Sequence, residues 1–247
     1  MRYSPLPRFV VFILTLFFGI ALVAPLPFVI VMPGNAQNIF DKILTVKTQK
    51  SFAATGRLDL MSIKVTNPNT WIIGPEIIYS WIRSDEAVYP RSAIYPAGTT
   101  AAHEKQQAAV DMTTSQSKAI SAAFTYLASH PSLGVAKDQL NSANIAFDVE
   151  RTGGPSGGMI FALGVIELLT PTDVLHGRHV AGTGTISAEG SVGAIGGINE
   201  KILAAKRAGA KIFLAPAGNA NEISHSNKGI TIIIVSTLDQ AVTALQK

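Results

Sequence analysis

The most extended run of apolar positions lies near the N-terminus. Residues 9–32 carry no charged side chain, and this run exceeds the ~20 residues that a helix needs to cross a bilayer. The pattern predicts a single transmembrane helix. Arg2 and Arg8 precede the run, so the positive-inside rule places the N-terminus in the cytoplasm and the rest of the chain outside it. A cleaved signal peptide ending at Ala24 is the alternative, although Pro25 is unfavourable directly after a cleavage site.

The segment that follows is broken into short apolar stretches by glycine and proline. Residues 42–48, 56–66 and 87–96 are rich in β-branched and aromatic side chains, which predicts strands. Residues 71–82, WIIGPEIIYSWI, are apolar and contain two tryptophans. Their pattern favours a core helix, and an amphipathic stretch lying on a membrane is the alternative. We therefore expect a β-rich region over residues 33–110.

Helical and strand patterns alternate in the second half of the chain. Helical spacing of apolar residues predicts a helix over residues 113–130, and residues 156–169 are apolar almost all round, which predicts a buried helix. Cap signals accompany the helices predicted over residues 199–209 and 237–247. Residues 145–150 alternate as in a strand, and apolar runs predict strands over residues 211–216 and 230–236. Glycine-rich residues 178–197 predict a hairpin. This alternation predicts α/β packing. The expected domains are a stub and anchor (residues 1–32), the β-rich region (33–110) and an α/β domain (111–247).

Composition and charge exclude several classes of function. The net charge of +4 is small and scattered, which argues against a nucleic-acid partner. The chain contains no cysteine, so disulfides, thiol catalysis and zinc–thiolate sites are excluded. His176 and His179 have i, i+3 spacing, but no carboxylate-rich context accompanies them. The sequence therefore predicts no metal site.

The stretch RTGGPSGGMI places Ser156 among four glycines and a proline, directly before an apolar helix. Most such serines are only turn residues or helix caps. A phosphate loop is the second interpretation, but no G-x-x-x-x-G-K-[ST] motif occurs, and no G-x-G-x-x-G follows a strand and opens a helix. The third interpretation is a nucleophile, because free backbone N–H groups and the helix dipole favour a developing oxyanion there.

A serine nucleophile needs a base, and no histidine in the sequence stands out for that role. A lysine can replace histidine where burial lowers its pKa enough to leave the amine neutral. Lys201 lies in GGINEKILAAKRAG beside apolar helix positions, so its stem can be buried while Lys206 and Arg207 face water. Lys201 is the candidate base.

Two segments together carry a family resemblance. GGPSGGMIFALGVIELLT and VAGTGTISAEGSVGAIGGINEKILAAKRAGAKIFLAP resemble the proteolytic domain of Lon proteases. The resemblance implies a Ser–Lys dyad, in which Ser156 matches the serine of G-P-S-[AG]-G and Lys201 matches the last residue of G-G-[ILV]-x-E-K. It also implies that Thr183, in the strand beside the dyad, helps to orient the lysine.

The same resemblance implies a fold and a nucleophile loop. The fold is α/β (α+β), with small sheets and packed helices. Gly154, Pro155 and Gly157 belong to the loop that presents the nucleophile. Alanine is common in the family at the position of Gly157, and we expect glycine to be tolerated there, although it could loosen the turn.

Two further segments, AVYPRSAIYPAG and DMTTSQSKAISAA, resemble the membrane-anchored, ATP-independent Lon-like proteases. Those relatives usually carry a PDZ domain, for which residues 127–144 are too few, and no AAA+ module is expected. The resemblance implies a single-pass serine endopeptidase that cleaves unfolded or flexible proteins and peptides outside the cytoplasm. It implies no cofactor and no ATP, and it suggests a homo-oligomeric ring such as a hexamer.

Two alternatives come from other classes of protein. Ser115 and Lys118 have the S-x-x-K spacing of penicillin-binding proteins, but no K-T-G follows, which favours exposed positions on a helix. A membrane-tethered scaffold with a Lon-like fold and no catalysis is the other. The presence of both Ser156 and Lys201 argues against that scaffold.

Overall fold

The computed structural model describes residues 6–47, 51–149, 154–224 and 229–247. The chain divides into two compact units. The smaller unit contains the residues up to Met32 together with Val65–Ala101, and the larger unit contains Pro33–Lys64 and Ala102–Lys247. The domain boundaries expected after residues 32 and 110 stay a prediction.

The helices and strands alternate along most of the chain. The first half contains α1 (Arg8–Val23), β1 (Phe28–Asn38), β2 (Leu44–Val46), β3 (Arg57–Val65), α2 (Gly74–Ile82), β4 (Ala87–Pro90), α3 (Arg91–Ile94) and α4 (Ala101–Ser129). The second half contains β5 (Ile145–Phe147), α5 (Gly158–Leu169), β6 (His179–Gly182), β7 (Thr185–Ile186), β8 (Val192–Gly193), α6 (Ile198–Arg207), β9 (Ile212–Pro216), β10 (Thr231–Val235) and α7 (Leu238–Leu245). The predicted mixed α/β class is confirmed.

The apolar N-terminal run forms two elements instead of one. Helix α1 has 16 residues and ends where Ala24, which precedes Pro25, adopts an extended conformation. The chain then enters β1 at Phe28. The transmembrane helix predicted over residues 9–32 is therefore corrected to a shorter helix followed by a strand. Among the residues that the structure describes, no helix combines the length and the apolar character needed to cross a membrane.

The smaller unit packs a short sheet against α2. The first half of β1 pairs antiparallel with β4, from Phe28 opposite Pro90 to Val31 opposite Ala87. Ile30, Ile72 and Ile77 form its buried cluster. Residues 87–96, predicted as a strand, divide into β4 and the one-turn helix α3, because Pro90 suits the position before a first helical turn.

The larger unit is built on a sheet of order β10-β9-β6-β3-β1. The pairs β10–β9, β9–β6 and β6–β3 are all parallel. Helix α5 is apolar all round and almost wholly buried against one face, as its sequence predicts. Helix α6 packs with Met61, Ala181 and Phe213 in a hydrophobic cluster of the larger unit.

The hairpin predicted over residues 178–197 is only partly correct. Strand β6 lies inside the parallel sheet, between β3 and β9. Only β7 and β8 form an antiparallel pair, with Thr185 opposite Gly193. The glycine pattern could not distinguish these arrangements, because the partner strands of β6 lie far away in the sequence.

Candidate active site

Ser156 lies in a one-turn 3₁₀ helix, Pro155–Gly157, which leads directly into α5. Gly154 opens this turn with φ of +97°, a conformation that glycine adopts without strain. The carbonyl oxygen of Ser156 accepts hydrogen bonds from the Gly184 N–H at 2.8 Å and from the Thr183 hydroxyl at 3.0 Å. The two residues directly after β6 therefore hold the backbone of the candidate nucleophile in place.

Lys201 approaches Ser156 from the second turn of α6. Its side chain is 2% exposed, and Nζ lies 2.8 Å from Ser156 Oγ and 3.1 Å from Thr183 Oγ1. Burial lowers the pKa of Lys201 to about 7, because an ammonium loses hydration in this site. A substantial fraction of neutral amine is thus present near neutral pH, next to a hydroxyl that it can deprotonate.

Thr183 connects the two residues of the dyad. It follows the last residue of β6 and is 1% exposed. Its hydroxyl donates to the Ser156 carbonyl and accepts from Lys201 Nζ, so one side chain fixes both the nucleophile turn and the amine. The structure brings Ser156, Lys201 and Thr183 together, and their catalytic roles stay predictions.

Ser115 supports the turn from the other side. The sequence analysis favoured an exposed position for Ser115, which is wrong: it is 3% exposed, and its hydroxyl donates to the Pro155 carbonyl at 3.0 Å. Lys118, its partner in that motif, is exposed one turn later on α4. The sequence analysis missed Ser115 as a supporting residue. Its only signal there was its place on the buried face of α4, four residues before Ala119.

The two histidines with i, i+3 spacing do not form a common site. His176 is exposed in a left-handed turn, whereas His179 Nε2 lies 2.8 Å from a carboxylate oxygen of Asp59. Within the described ranges, no group of three or more His, Cys, Asp or Glu side chains could hold a metal ion.

A cleft of about 510 Å³ opens onto the dyad. Ser156 and Lys201 lie in its wall, together with a stretch of β3 that includes Leu60–Lys64, and with Asn35 and Gln37 of β1. The pairing of β3 with β6 ends at Leu60 opposite Gly182. An extended peptide can therefore lie along the following residues of β3 and reach the serine hydroxyl.

Comparison with known proteins identifies the family. Residues 100–247 match the model of the Lon protease (S16) C-terminal proteolytic domain. The Lon protease of Neorickettsia sennetsu is 39% identical over 94 residues, which are 36% of this chain and 11% of that protein. Lon protease 1 of Bacillus subtilis is 35% identical over 130 residues, which are 49% of this chain and 16% of that protein. The chain belongs to the Lon protease (S16) C-terminal proteolytic domain family. Its match spans only about a tenth to a sixth of these relatives.

Proposed function

We propose that this protein is a serine endopeptidase with a Ser156–Lys201 dyad. The observation that carries the proposal is the 2.8 Å separation of Lys201 Nζ from Ser156 Oγ, at a lysine whose pKa burial lowers to about 7. A lysine with its ordinary pKa is protonated at neutral pH and cannot take a proton. The buried amine removes that obstacle, as a general base for serine requires.

The mechanism follows from the position of each group. Neutral Lys201 accepts the hydroxyl proton as Ser156 Oγ attacks the carbonyl carbon of a peptide bond. The resulting ammonium then donates that proton to the leaving amine, and the C–N bond breaks to leave an acyl ester on Ser156. The regenerated amine then takes a proton from water as the water oxygen attacks the ester carbon. When the bond from that carbon to Ser156 Oγ breaks, the ammonium returns the proton to Oγ, which releases the carboxylic acid product and restores the free enzyme.

Charge on the tetrahedral intermediate needs hydrogen-bond donors. The N–H groups of Ser156 and Gly157 lie in the first turn before α5, where backbone N–H groups lack partners within a helix. The positive end of the helix dipole also points there. These amides are the proposed oxyanion donors, and their fixed orientation is the main electrostatic contribution.

The proposed substrates are unfolded or flexible polypeptides. The cleft beside β3 suits an extended chain, which can form backbone hydrogen bonds with a strand edge. The resemblance of residues 87–98 and 111–123 to the membrane-anchored, ATP-independent Lon-like proteases supports the proposal that cleavage needs no ATP. The family resemblance supports a homo-oligomeric ring, such as a hexamer, as the assembly.

We further propose that α1 attaches the protein to a membrane, with the dyad on the extracytoplasmic side. Every side chain from Val11 to Val23 is exposed although nearly all are apolar, and Arg8 precedes them. Because the chain contains no cysteine, a Ser132→Cys variant provides a single exposed thiol. A maleimide that cannot cross membranes should label it in intact cells. Labelling only after lysis would contradict the extracytoplasmic side.

The activity is tested by cleavage of an unfolded, fluorescently labelled protein without ATP. The full chain in detergent should cleave it, and Ser156→Ala and Lys201→Ala should not. Lys206→Ala, on the same helix, and Lys118→Ala, from the rival motif, are matched controls that should retain activity. Full activity of Lys201→Ala would disprove the dyad, and the absence of cleavage by any form would favour the scaffold alternative.

A further inference from the structure

Helix α2 turns apolar side chains outward. Ile77 and Ser80 face the interior of the smaller unit, whereas Ile78, Trp81 and Ile82 are 55%, 68% and 79% exposed. Trp71, just before the helix, is 74% exposed. The prediction of a core helix over residues 71–82 is therefore wrong for both tryptophans. We call Trp71, Ile78, Trp81 and Ile82 the α2 face.

Helix α2 lies beside the C-terminal end of α1. The two helices contact each other within the smaller unit, and the Leu26 N–H, shortly after α1, donates to the Ile72 carbonyl at 2.8 Å. Throughout α1, which the structure describes in full, no side chain is buried. A helix that is apolar all round needs an apolar environment on every side. Lipid provides that environment, and α1 brings it to the edge of α2.

Polar groups mark where the chain leaves this surface. Arg83, the first residue after α2, donates from Nε and Nη2 to the Asp85 carboxylate, both at 3.0 Å. It also donates to the Tyr79 hydroxyl at 3.1 Å. The ion-paired Arg83 therefore directly follows Ile82, the last apolar residue of the α2 face.

We propose that the α2 face lies in the interfacial layer of a phospholipid bilayer. This inference rests on the membrane attachment through α1 proposed above. Tryptophan combines a large apolar ring with one N–H donor and is enriched at membrane interfaces for that reason. The charges that follow α2 are mixed in sign, so apolar burial drives the contact and zwitterionic lipid suffices. The face also sets the height of the smaller unit above the membrane.

The sequence offers an internal probe of this contact. The chain has two tryptophans, and both belong to the α2 face, so its tryptophan emission reports on this surface alone. The full chain is reconstituted into phosphatidylcholine vesicles with bromine atoms at shallow or deep acyl positions. We expect the tryptophan emission to shift to shorter wavelength relative to the protein in buffer without lipid or detergent. We also expect bromines at shallow positions to quench this emission more strongly than bromines at deep positions.

Variants separate this contact from attachment through α1. Ile78→Ser/Ile82→Ser keeps both tryptophans and should lose most of the shallow quenching while the protein stays on the vesicles. Ile234→Ser, which changes an exposed isoleucine of the larger unit, should behave like wild type. Unshifted, unquenched emission from vesicle-bound protein would overturn the proposal while leaving the membrane attachment intact.

Two other outcomes also decide against a bilayer contact. Failure of the protein to float with vesicles would reject the attachment through α1 and the α2 face together, without bearing on the protease activity. A blue shift that needs no lipid and grows with protein concentration would instead assign the face to a second copy of the chain.

Discussion

Lys201 Nζ lies 2.8 Å from Ser156 Oγ, although 45 residues separate the two in sequence. One residue belongs to α6 and the other to the turn before α5. The parallel sheet sets this distance, because Thr183, directly after β6, hydrogen-bonds both the Ser156 carbonyl and Lys201 Nζ. The dyad is thus a product of sheet packing, and its protonation depends on the burial that the same packing creates.

The rate of cleavage should depend on the protonation of Lys201. Burial lowers the pKa of Lys201 to about 7, and only the neutral amine is a base. We expect kcat/KM to rise with pH through an apparent pKa near 7 and then to level off. Lys201→Ala should lower kcat by about 10²–10⁴-fold, as for loss of a general base. Initial rates across pH 5.5–9 on a short peptide, spanning the expected pKa of about 7, measure the profile. A flat profile would contradict the assignment.

Thr183 should act as a positioning residue. Thr183→Val keeps the shape but loses the hydrogen bonds to the Ser156 carbonyl and to Lys201 Nζ. We expect kcat to fall by up to about 100-fold, because small displacements of reacting groups are costly. The profile should also move to lower pH, because the ammonium loses a hydrogen-bond acceptor. Thr183→Ser, which keeps the hydroxyl, should have the kcat and the apparent pKa of the wild type. A Val variant with unchanged kcat and profile would remove Thr183 from the mechanism.

Lys201 should make stability rise with pH in the alkaline range. Its pKa is about 7 in the folded state and near 10.5 when unfolded, so the unfolded chain binds more protons between these values. The cost of burying the ammonium is fully present below pH 7 and disappears towards pH 10.5. Relative to Lys201→Met, the wild type should gain up to about 5 kcal/mol of unfolding free energy across this interval. Urea unfolding at several pH values measures the difference, and a constant difference would contradict it.

Glu167 should have the opposite effect in the acidic range. It is 4% exposed on α5, and its Oε2 accepts the Val174 N–H at 2.9 Å. Burial, and secondarily the charge of Asp173, raises its pKa from 4.5 to about 7. The folded state therefore binds more protons between these values, and stability falls as pH rises from 4.5 to 7.

The matched variant is Glu167→Gln, which keeps an oxygen to accept the Val174 N–H. Relative to this variant, the wild type should lose up to about 3 kcal/mol of unfolding free energy between the two pKa values. The measurement is again urea unfolding as a function of pH. Parallel curves for wild type and Glu167→Gln would show that the carboxyl does not titrate in this range.

Gly157→Ala tests the close packing under the nucleophile turn. A methyl group at Gly157 would lie 2.6 Å from Leu60 Cδ1 and 3.1 Å from the Phe161 ring. Alanine, although common at this position in the family, should therefore cost about 1–3 kcal/mol of unfolding free energy here. Leu60→Val shortens the obstructing side chain, so the same change should cost less in that background. If Gly157→Ala costs the same unfolding free energy in the wild-type and Leu60→Val backgrounds, contact with Leu60 is not the cause of that cost.

The periodic elements of the larger unit could be predicted because their signals are local. Helix α5 is apolar almost all round, α6 carries an amphipathic 3.6-residue pattern, and β9 and β10 are short apolar runs between turn residues. The candidates Ser156 and Lys201 were accessible for a similar reason, since each lies in a compact motif. Neither motif, however, predicts the distance between Ser156 Oγ and Lys201 Nζ.

Other features depended on distant partners. The apolar run over residues 9–32 has one composition, yet its first part is the helix α1 and its last part enters β1, because β4 supplies a pairing partner for Phe28–Val31. Ser115 is a buried serine on a helix face that otherwise buries alanines and larger apolar or aromatic side chains, and the approach of the Pro155 carbonyl explains its hydroxyl. Hydrogen bonds of this kind join segments that no local pattern connects.

The sequence by itself determined the alternation of helices and strands in the larger unit, the nucleophile motif and the lysine motif, because each is written in neighbouring residues. Tertiary structure alone decided that β6 lies inside a parallel sheet, that both tryptophans face outward and that Lys201 is 2% exposed. Burial and strand pairing both depend on contacts between segments that are distant in the sequence. The lowered pKa of Lys201 depends on the same contacts, because every group that packs around the amine contributes to its desolvation.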